Sequence, residues 1–361
     1  MILGLITLLT SYAGAQESSA AGADDNIEDA SAPQSDPSRD AHLANPSLLI
    51  QSWFTAWDQD QKGQTDPSGY GDPEDDAGFK VRRARAGFEG TDGELYYGVV
   101  FGMGAPADGI LGGDDTLEVV DAYGGWNIHR HLGVTVGVQK VPFGREALIA
   151  ASELTFQERS VASNHLTPGR ELGAVAEVRP EHLGLSLGAF NGNGSILGDD
   201  NTGFLLAARA EYDRALGDGM LSVGANGLYD AGLATEELGL GVDLEVALGS
   251  IAFLMEGIAV RLEPTNTDIS SPAVLGTTQR IGGHVQVGVN VAQWQPALRV
   301  EYFDDDRDAD DNGDILHGIV GITGRFAEDR VRAGAGFVHR HELEGQSLSN
   351  DTARIWLQLV Y

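Results

Sequence analysis

From Pro46 onward, apolar residues alternate with small or polar ones almost without interruption. The clearest run is Leu132-Gly-Val134-Thr-Val136-Gly-Val138-Gln, and the pattern returns at Leu238-Gly-Leu240-Gly-Val242-Asp-Leu244 and Val285-Gln-Val287-Gly-Val289. A period of two describes a strand with one aliphatic face and one small or polar face. Strands in a soluble sandwich usually run to about five or six residues. Many runs here reach the roughly nine to eleven residues that a tilted strand needs to cross a bilayer. Segments bounded by turn residues predict sixteen strands, near 47–57, 79–90, 94–104, 116–126, 131–140, 171–179, 183–191, 202–213, 219–230, 236–248, 251–262, 280–291, 296–303, 314–326, 330–340 and 351–361. Long polar connections such as 58–78, 141–170 and 263–279 follow odd-numbered strands, with only 231–235 short. Tight turns such as Thr91-Asp92-Gly93 and Gly249-Ser250 follow even-numbered ones. An even strand count with this alternation predicts an all-β, sixteen-stranded antiparallel transmembrane β-barrel of the bacterial outer membrane.

The two ends of the chain fit an exported barrel. Met1–Thr10 is an apolar run followed by Ser11-Tyr12-Ala13-Gly14-Ala15, a small-x-small pattern that predicts a signal peptide over 1–15. Elsewhere no stretch of about 18 apolar residues occurs, so membrane crossing falls to strands. Residues 16–45 are rich in Ala, Ser, Asp and Pro without any period and are expected to form a disordered acidic periplasmic tail. The barrel then occupies 46–361. Its last strand would turn Ala353, Ile355, Leu357, Leu359 and Tyr361 outward, with the terminal ring at the membrane interface.

Composition narrows the function. The 361 residues include 54 Asp+Glu, 23 Lys+Arg, 49 Gly and no Cys. Thiolate metal sites, disulfides and Cys nucleophiles are therefore excluded. The formal net charge of −31 argues against a nucleic-acid partner, because phosphate backbones are gripped by clustered Lys and Arg. The stretches 16–45, 58–76 and 304–314 carry seven acids and one base each, so more than half of this charge decorates tails and loops. Asp308-x-Asp310-x-Asn312-Gly313 opens like a calcium loop, but Ile319 stands where the bidentate Glu would be needed. A solvated outer loop, bridged to lipopolysaccharide by divalent ions, is the simpler expectation. No G-x-S-x-G element is present. The close histidine pairs, His129/His131 and His339/His341, read as turn or interface residues. No catalytic residue, metal-ligand set or cofactor is assigned.

The most specific sequence is Val138-Gln-Lys140-Val-Pro-Phe-Gly144-Arg145-Glu146, Leu154-Thr-Phe-Gln-Glu158-Arg159-Ser160, Thr167-Pro-Gly-Arg170-Glu171-Leu-Gly173 and Phe190-Asn-Gly-Asn-Gly194. Together with Arg82-Arg83-Ala84-Arg85, these segments resemble the phosphate-selective porin (porin O and P) family of outer-membrane channels, closely over about 79–194. The resemblance implies a homotrimer of sixteen-stranded barrels whose third outer loop, here 141–170, folds inward and narrows the pore. It also implies selection of small anions by inward Arg and Lys side chains. The candidate pore residues are Arg83, Arg85, Lys140, Arg145, Arg159 and Arg170. Alternation turns Arg83 and Arg85 to the lumen and Ala84, Ala86 and Phe88 to lipid. Arg209, Arg299, Arg325, Arg332, Arg340 and Arg354 should also face inward, interspersed with acids that can pair with them. Only three Lys occur, Lys62, Lys80 and Lys140, which favours weak preference for small anions over strict phosphate selection. The expected function is passive diffusion of small hydrophilic solutes. Its rival is a plugged structural or adhesive barrel.

Overall fold

The computed structural model describes residues 45–58, 77–104, 117–192, 203–232, 235–264 and 276–361. The expected signal peptide, almost all of the expected acidic tail and the acidic stretch 59–76 lie outside the described residues. The strands are β1 (Asn45–Asp58), β2 (Gly78–Asp92), β3 (Leu95–Gly104), β4 (Glu118–His129), β5 (Leu132–Lys140), β6 (Arg170–Val178), β7 (Leu183–Phe190) and β8 (Leu205–Leu216). They continue as β9 (Gly219–Ala231), β10 (Thr235–Leu248), β11 (Ile251–Pro264), β12 (Thr278–Val289), β13 (Trp294–Asp304), β14 (Ile315–Phe326), β15 (Val331–Glu342) and β16 (Thr352–Val360). Between β5 and β6 lie two short helices, α1 (Arg145–Leu148) and α2 (Val161–His165).

Every strand pairs antiparallel with its chain neighbours, and β1 pairs with β16 to close the barrel. Leu48 and Tyr361 exchange backbone hydrogen bonds of 2.9 and 3.0 Å at the seam. Closure leaves no row of unpaired N–H and C=O groups, which an apolar bilayer could not satisfy.

The alternation sorts side chains as a membrane demands. Phe88, Leu187, Leu240 and Val242 are 57–64% exposed on the outer face. Gly239, Gly241 and Asp243 of the same β10 run are buried inward. Ile355, Leu357 and Leu359 on β16, and Tyr361 just past its end, are all exposed on the outer face. Trp126, Tyr212, Trp294, Phe326 and Tyr361 stand exposed near the tight-turn end, where aromatic rings suit the lipid–water interface. Trp294 and Phe326 meet edge to face there, at 5.7 Å.

Strict alternation fails on β2. Gln51 pairs with Arg83 while Ser52 pairs with Val81, so Arg82 is an extra, bulged residue. Arg82 and Arg83 are in consequence both buried inward, at 2% and 1% exposure. A bulge re-aims one side chain without breaking the ladder, and the alternative was a guanidinium in lipid.

A hydrophobic cluster sits inside the barrel. Val141, Phe143, Ala162 and Leu166 of the β5–β6 connection pack on Val175, Phe190, Leu205, Leu228, Ile258 and Phe303 of the wall. Inward glycines make room for them. A Cβ on Gly239 would lie 2.9 Å from the Phe143 ring, and one on Gly282 would lie 2.8 Å from Ala162 Cβ.

Candidate functional site

The β5–β6 connection, residues 141–169, is the third of the long connections and reaches most of the inner wall. Gly144 N donates to Asn226 Oδ1 on β9 at 2.6 Å, and Arg145 Nε donates to Glu245 Oε2 on β10 at 2.7 Å. Arg145 N and Glu146 N both donate to the Glu256 carboxylate on β11. Thr155 Oγ1 lies 3.3 Å from Gln286 Nε2 on β12. Ser152 O accepts from Arg332 on β15 and Gln358 on β16, at 2.5 and 2.9 Å. Ala151 O accepts from Gln51 on β1 at 3.0 Å. A single connection that meets β1, β9–β12, β15 and β16 must cross the lumen. The inward third loop is thus set by its own hydrogen bonds.

Two buried arginine centres fasten it. Arg299 on β13, 1% exposed, donates to Gln286 Oε1 at 2.9 and 2.7 Å, Glu146 Oε1 at 2.5 Å, Glu158 O at 3.1 Å and Glu301 Oε1 at 3.1 Å. Its guanidinium lies 4.7 Å from the centre of the Phe156 ring. At the second centre, Arg82 Nε reaches Glu158 Oε1 at 2.5 Å, while Arg83 donates to Glu158 Oε2 at 3.2 Å, Gln157 O at 3.2 Å and Gln51 Oε1 at 2.8 Å. Ion pairs with this burial and this many donors lock geometry.

The six sequence-predicted pore residues divide accordingly. Arg83 is an anchor of the loop, and so is Arg145, which also donates to Ser222 Oγ at 2.9 Å and lies 3.5 Å from Asp243. The other four converge. Lys140 Nζ donates to Leu148 O and Ile149 O at 3.0 and 2.8 Å, carbonyl acceptors that bring no opposing carboxylate to it. Arg159 donates to Glu146 O at 3.1 Å and Ile149 O at 2.6 Å. Arg170 grips Asp121 with both fork nitrogens, at 2.8 and 3.2 Å. Arg85, Arg159, Arg170 and Asp121 all lie in the neighbourhood of Lys140, and Asp121 also neighbours Glu89. One charged cluster therefore joins β2, β4, β5, β6 and the loop.

The inward arginines of the other strands are mostly paired, as cross-strand geometry favours. Arg209 holds Asp243 at 2.7 and 3.0 Å, and Gly224 leaves space for that pair, since a Cβ there would lie 2.5 Å from both partners. Sequence reasoning missed Trp53. Its ring is buried inward and flanked by Lys80, Arg82 and Arg354 at 5.7, 5.8 and 4.7 Å. The readable signal for Arg82 was its place: an Arg in the lipid-facing phase of a strand calls for a bulge.

Neither close histidine pair forms a ligand set. His131 Nδ1 meets Arg179 O at 2.9 Å in a turn, and His339 meets Asp351. In the acidic loop, Asn312 Nδ2 donates to Gln346 O at 2.6 Å and Gln346 N donates to Asn312 Oδ1 at 3.1 Å. That side chain ties two outer loops together and is unavailable as a calcium ligand. Burial, with the nearby Asp311 carboxylate, pushes the Asp305 carboxyl up from its ordinary range. The loop is thus less tolerant than its acidity implies, and deletion of 305–312 would remove the Asn312 tie. Changing Asp306, Asp308 and Asp310 together to Asn should leave folding intact and the reversal potential unmoved at physiological salt, because exposed charges are screened over about 8 Å. Bilayer recordings at two salt concentrations check this.

Fold and lumen together define the class: a sixteen-stranded outer-membrane porin, a channel protein. Residues 59–232 match the family model described as phosphate-selective porin O and P, in agreement with the resemblance carried by residues 79–194. No curated protein matches the sequence. Among solved structures, the in-vitro folded OmpT of Vibrio cholerae, in trimer form, is 11% identical with a TM-score of 0.59, covering 89% of this chain and 100% of its own. The anion-selective porin from Comamonas acidovorans is 12% identical with a TM-score of 0.59, covering 88% and 99%. The outer-membrane channel DcaP of Acinetobacter baumannii is 14% identical with a TM-score of 0.55, covering 88% and 97%. At these identities the likeness is one of fold.

Proposed function

We propose that this porin passes small hydrophilic solutes by passive diffusion, with a weak preference for anions set by Arg85, Lys140, Arg159 and Arg170. The convergence of these four cations against Asp121, beside a loop that crosses the lumen, carries the reading. Where a pore narrows, water is thin and Coulomb interactions are less screened, so nearby cations lower the entry barrier for anions. The net charge of −31 does not set the sign, because much of it lies in tails and loops. Trp53 with Lys80, Arg82 and Arg354 extends positive charge along the β16–β2 wall.

The chain acts as a homotrimer, as in the trimer form of its Vibrio cholerae structural neighbour, and its acidic outer loops meet lipopolysaccharide through divalent ions. Export uses the Met1–Ala15 segment, with cleavage after Ala15.

Planar-bilayer recording in a salt gradient tests the filter. The wild-type reversal potential should indicate anions, and Arg85→Glu with Arg170→Glu should move it to the cation side. A wild-type pore that prefers cations, and whose potential these changes leave in place, would refute the filter. A barrel that conducts nothing would favour the plugged, structural reading.

A further inference from the structure

A second cluster on the lumen wall takes no part in the filter. Glu256 on β11 and His284 on β12 are directly paired across the ladder, and Glu146 of α1 descends onto them from the third loop. Each residue offers a ligand atom within 4.8 Å of the others'. They are 3%, 3% and 1% exposed, respectively.

Two observations point to a missing positive charge. Neither Nδ1 nor Nε2 of His284 has a hydrogen-bond partner, although Nδ1 lies 4.0 Å from Glu146 Oε2. A buried imidazole is rarely left with both nitrogens idle. The charge balance is also short. Arg299 is shared between Glu146 and Glu301, and Arg145, Arg209 and Arg179 serve Asp243, Glu245, Glu211 and Glu177, which leaves Glu256 with no arginine of its own among these pairs. The Glu256 carboxylate accepts from two backbone N–H groups, Arg145 N and Glu146 N. Two carboxylates thus face one imidazole in a buried setting where acids exceed arginines.

We propose that Glu146, Glu256 and His284 bind a divalent transition-metal cation of the zinc type, which clamps the third loop to the β11–β12 wall. Imidazole nitrogen with two carboxylate oxygens suits such ions, whereas Ca²⁺ and Mg²⁺ take oxygen sets. Each Glu256 oxygen accepts one backbone N–H and keeps a lone pair free for a cation. Arg299 Nη2 on Glu146 Oε1 and Ser160 N on Glu146 Oε2, the latter at 2.7 Å, would orient that ligand from outside, as supporting hydrogen bonds do in metal sites. Small side-chain rotations would draw the ligand atoms in to the separation of about 3.4 Å found around tetrahedral zinc.

The test uses full-length protein in detergent, stripped with chelator and dialysed against Zn²⁺ with excess Mg²⁺ to occupy the acidic outer loops. Metal analysis should find one zinc per chain, at least about tenfold less in His284→Ala and in Glu256→Gln, and no loss in the Asp306, Asp308 and Asp310 to Asn variant. Absence of zinc from the wild type, or equal zinc in His284→Ala, would overturn the proposal. Should the His284 and Glu256 variants fail to show the heat-modifiable mobility of a folded barrel, the Co²⁺ spectrum of the wild type decides. Intense bands of a low-coordinate nitrogen–oxygen site support the clamp, and the weak bands of an octahedral aquo ion overturn it.

Discussion

Replacing residues 147–157 with a short Gly-Ser linker should raise single-channel conductance about threefold, because it removes the part of the third loop that spans the lumen. The excised segment holds the contacts to β1, β15 and β16 through Ala151 and Ser152 and to Arg83 through Gln157. It leaves the apolar seat of Phe143, Ala162 and Leu166 and the anchors Glu146 and Glu158. A short linker can bridge the gap because its ends are held near one another: the Arg159 side chain donates to Glu146 O at 3.1 Å and Ser160 N to Glu146 Oε2 at 2.7 Å. Lys140 would lose both of its carbonyl acceptors, so ion selectivity should fall as conductance rises. Unchanged conductance in a folded variant would show that the narrowest point lies elsewhere.

Arg299→Met should destabilise the barrel by about 3–5 kcal/mol, since removing one partner of a buried ion pair strands the other charges. Glu146 and Glu301, both nearly inaccessible, would lose the guanidinium that faces them, and Gln286 would lose two donors. Met preserves packing against Phe156 without the charge. Arg330→Ala offers the comparison: its side chain is 59% exposed beside Glu328, and a surface pair of that kind is worth about 0–1 kcal/mol. Denaturant unfolding of both variants in detergent measures the difference, and the loosened loop should add noise to single-channel currents. If Arg299→Met unfolds no more easily than Arg330→Ala, the anchor role is wrong.

Much of this molecule was legible as a line of letters. Runs such as Leu238–Leu248 state their own structure, because a period of two admits only a strand and its length matches a bilayer. The third loop stood out by length and by resemblance. The roles of its arginines did not. Arg83 and Arg145 look like Arg85 and Arg170 in sequence, and the difference is which carboxylates lie opposite them after the barrel closes. Glu158 sits 75 residues beyond Arg83 in the chain, and Glu245 lies 100 residues beyond Arg145.

The sequence by itself determined the strand count, the closed antiparallel order, the aliphatic face turned to lipid and the side on which the long loops lie. These follow from local periodicity and turn chemistry, which neighbouring residues settle among themselves. Only the tertiary structure decided that Arg82 joins Arg83 inside through a bulge, that two of six candidate arginines and lysines are anchors, and that Glu146, Glu256 and His284 meet. Those facts depend on inter-strand register and on where a loop lands across a lumen. No period in the chain encodes a contact between residues 75 or 100 positions apart.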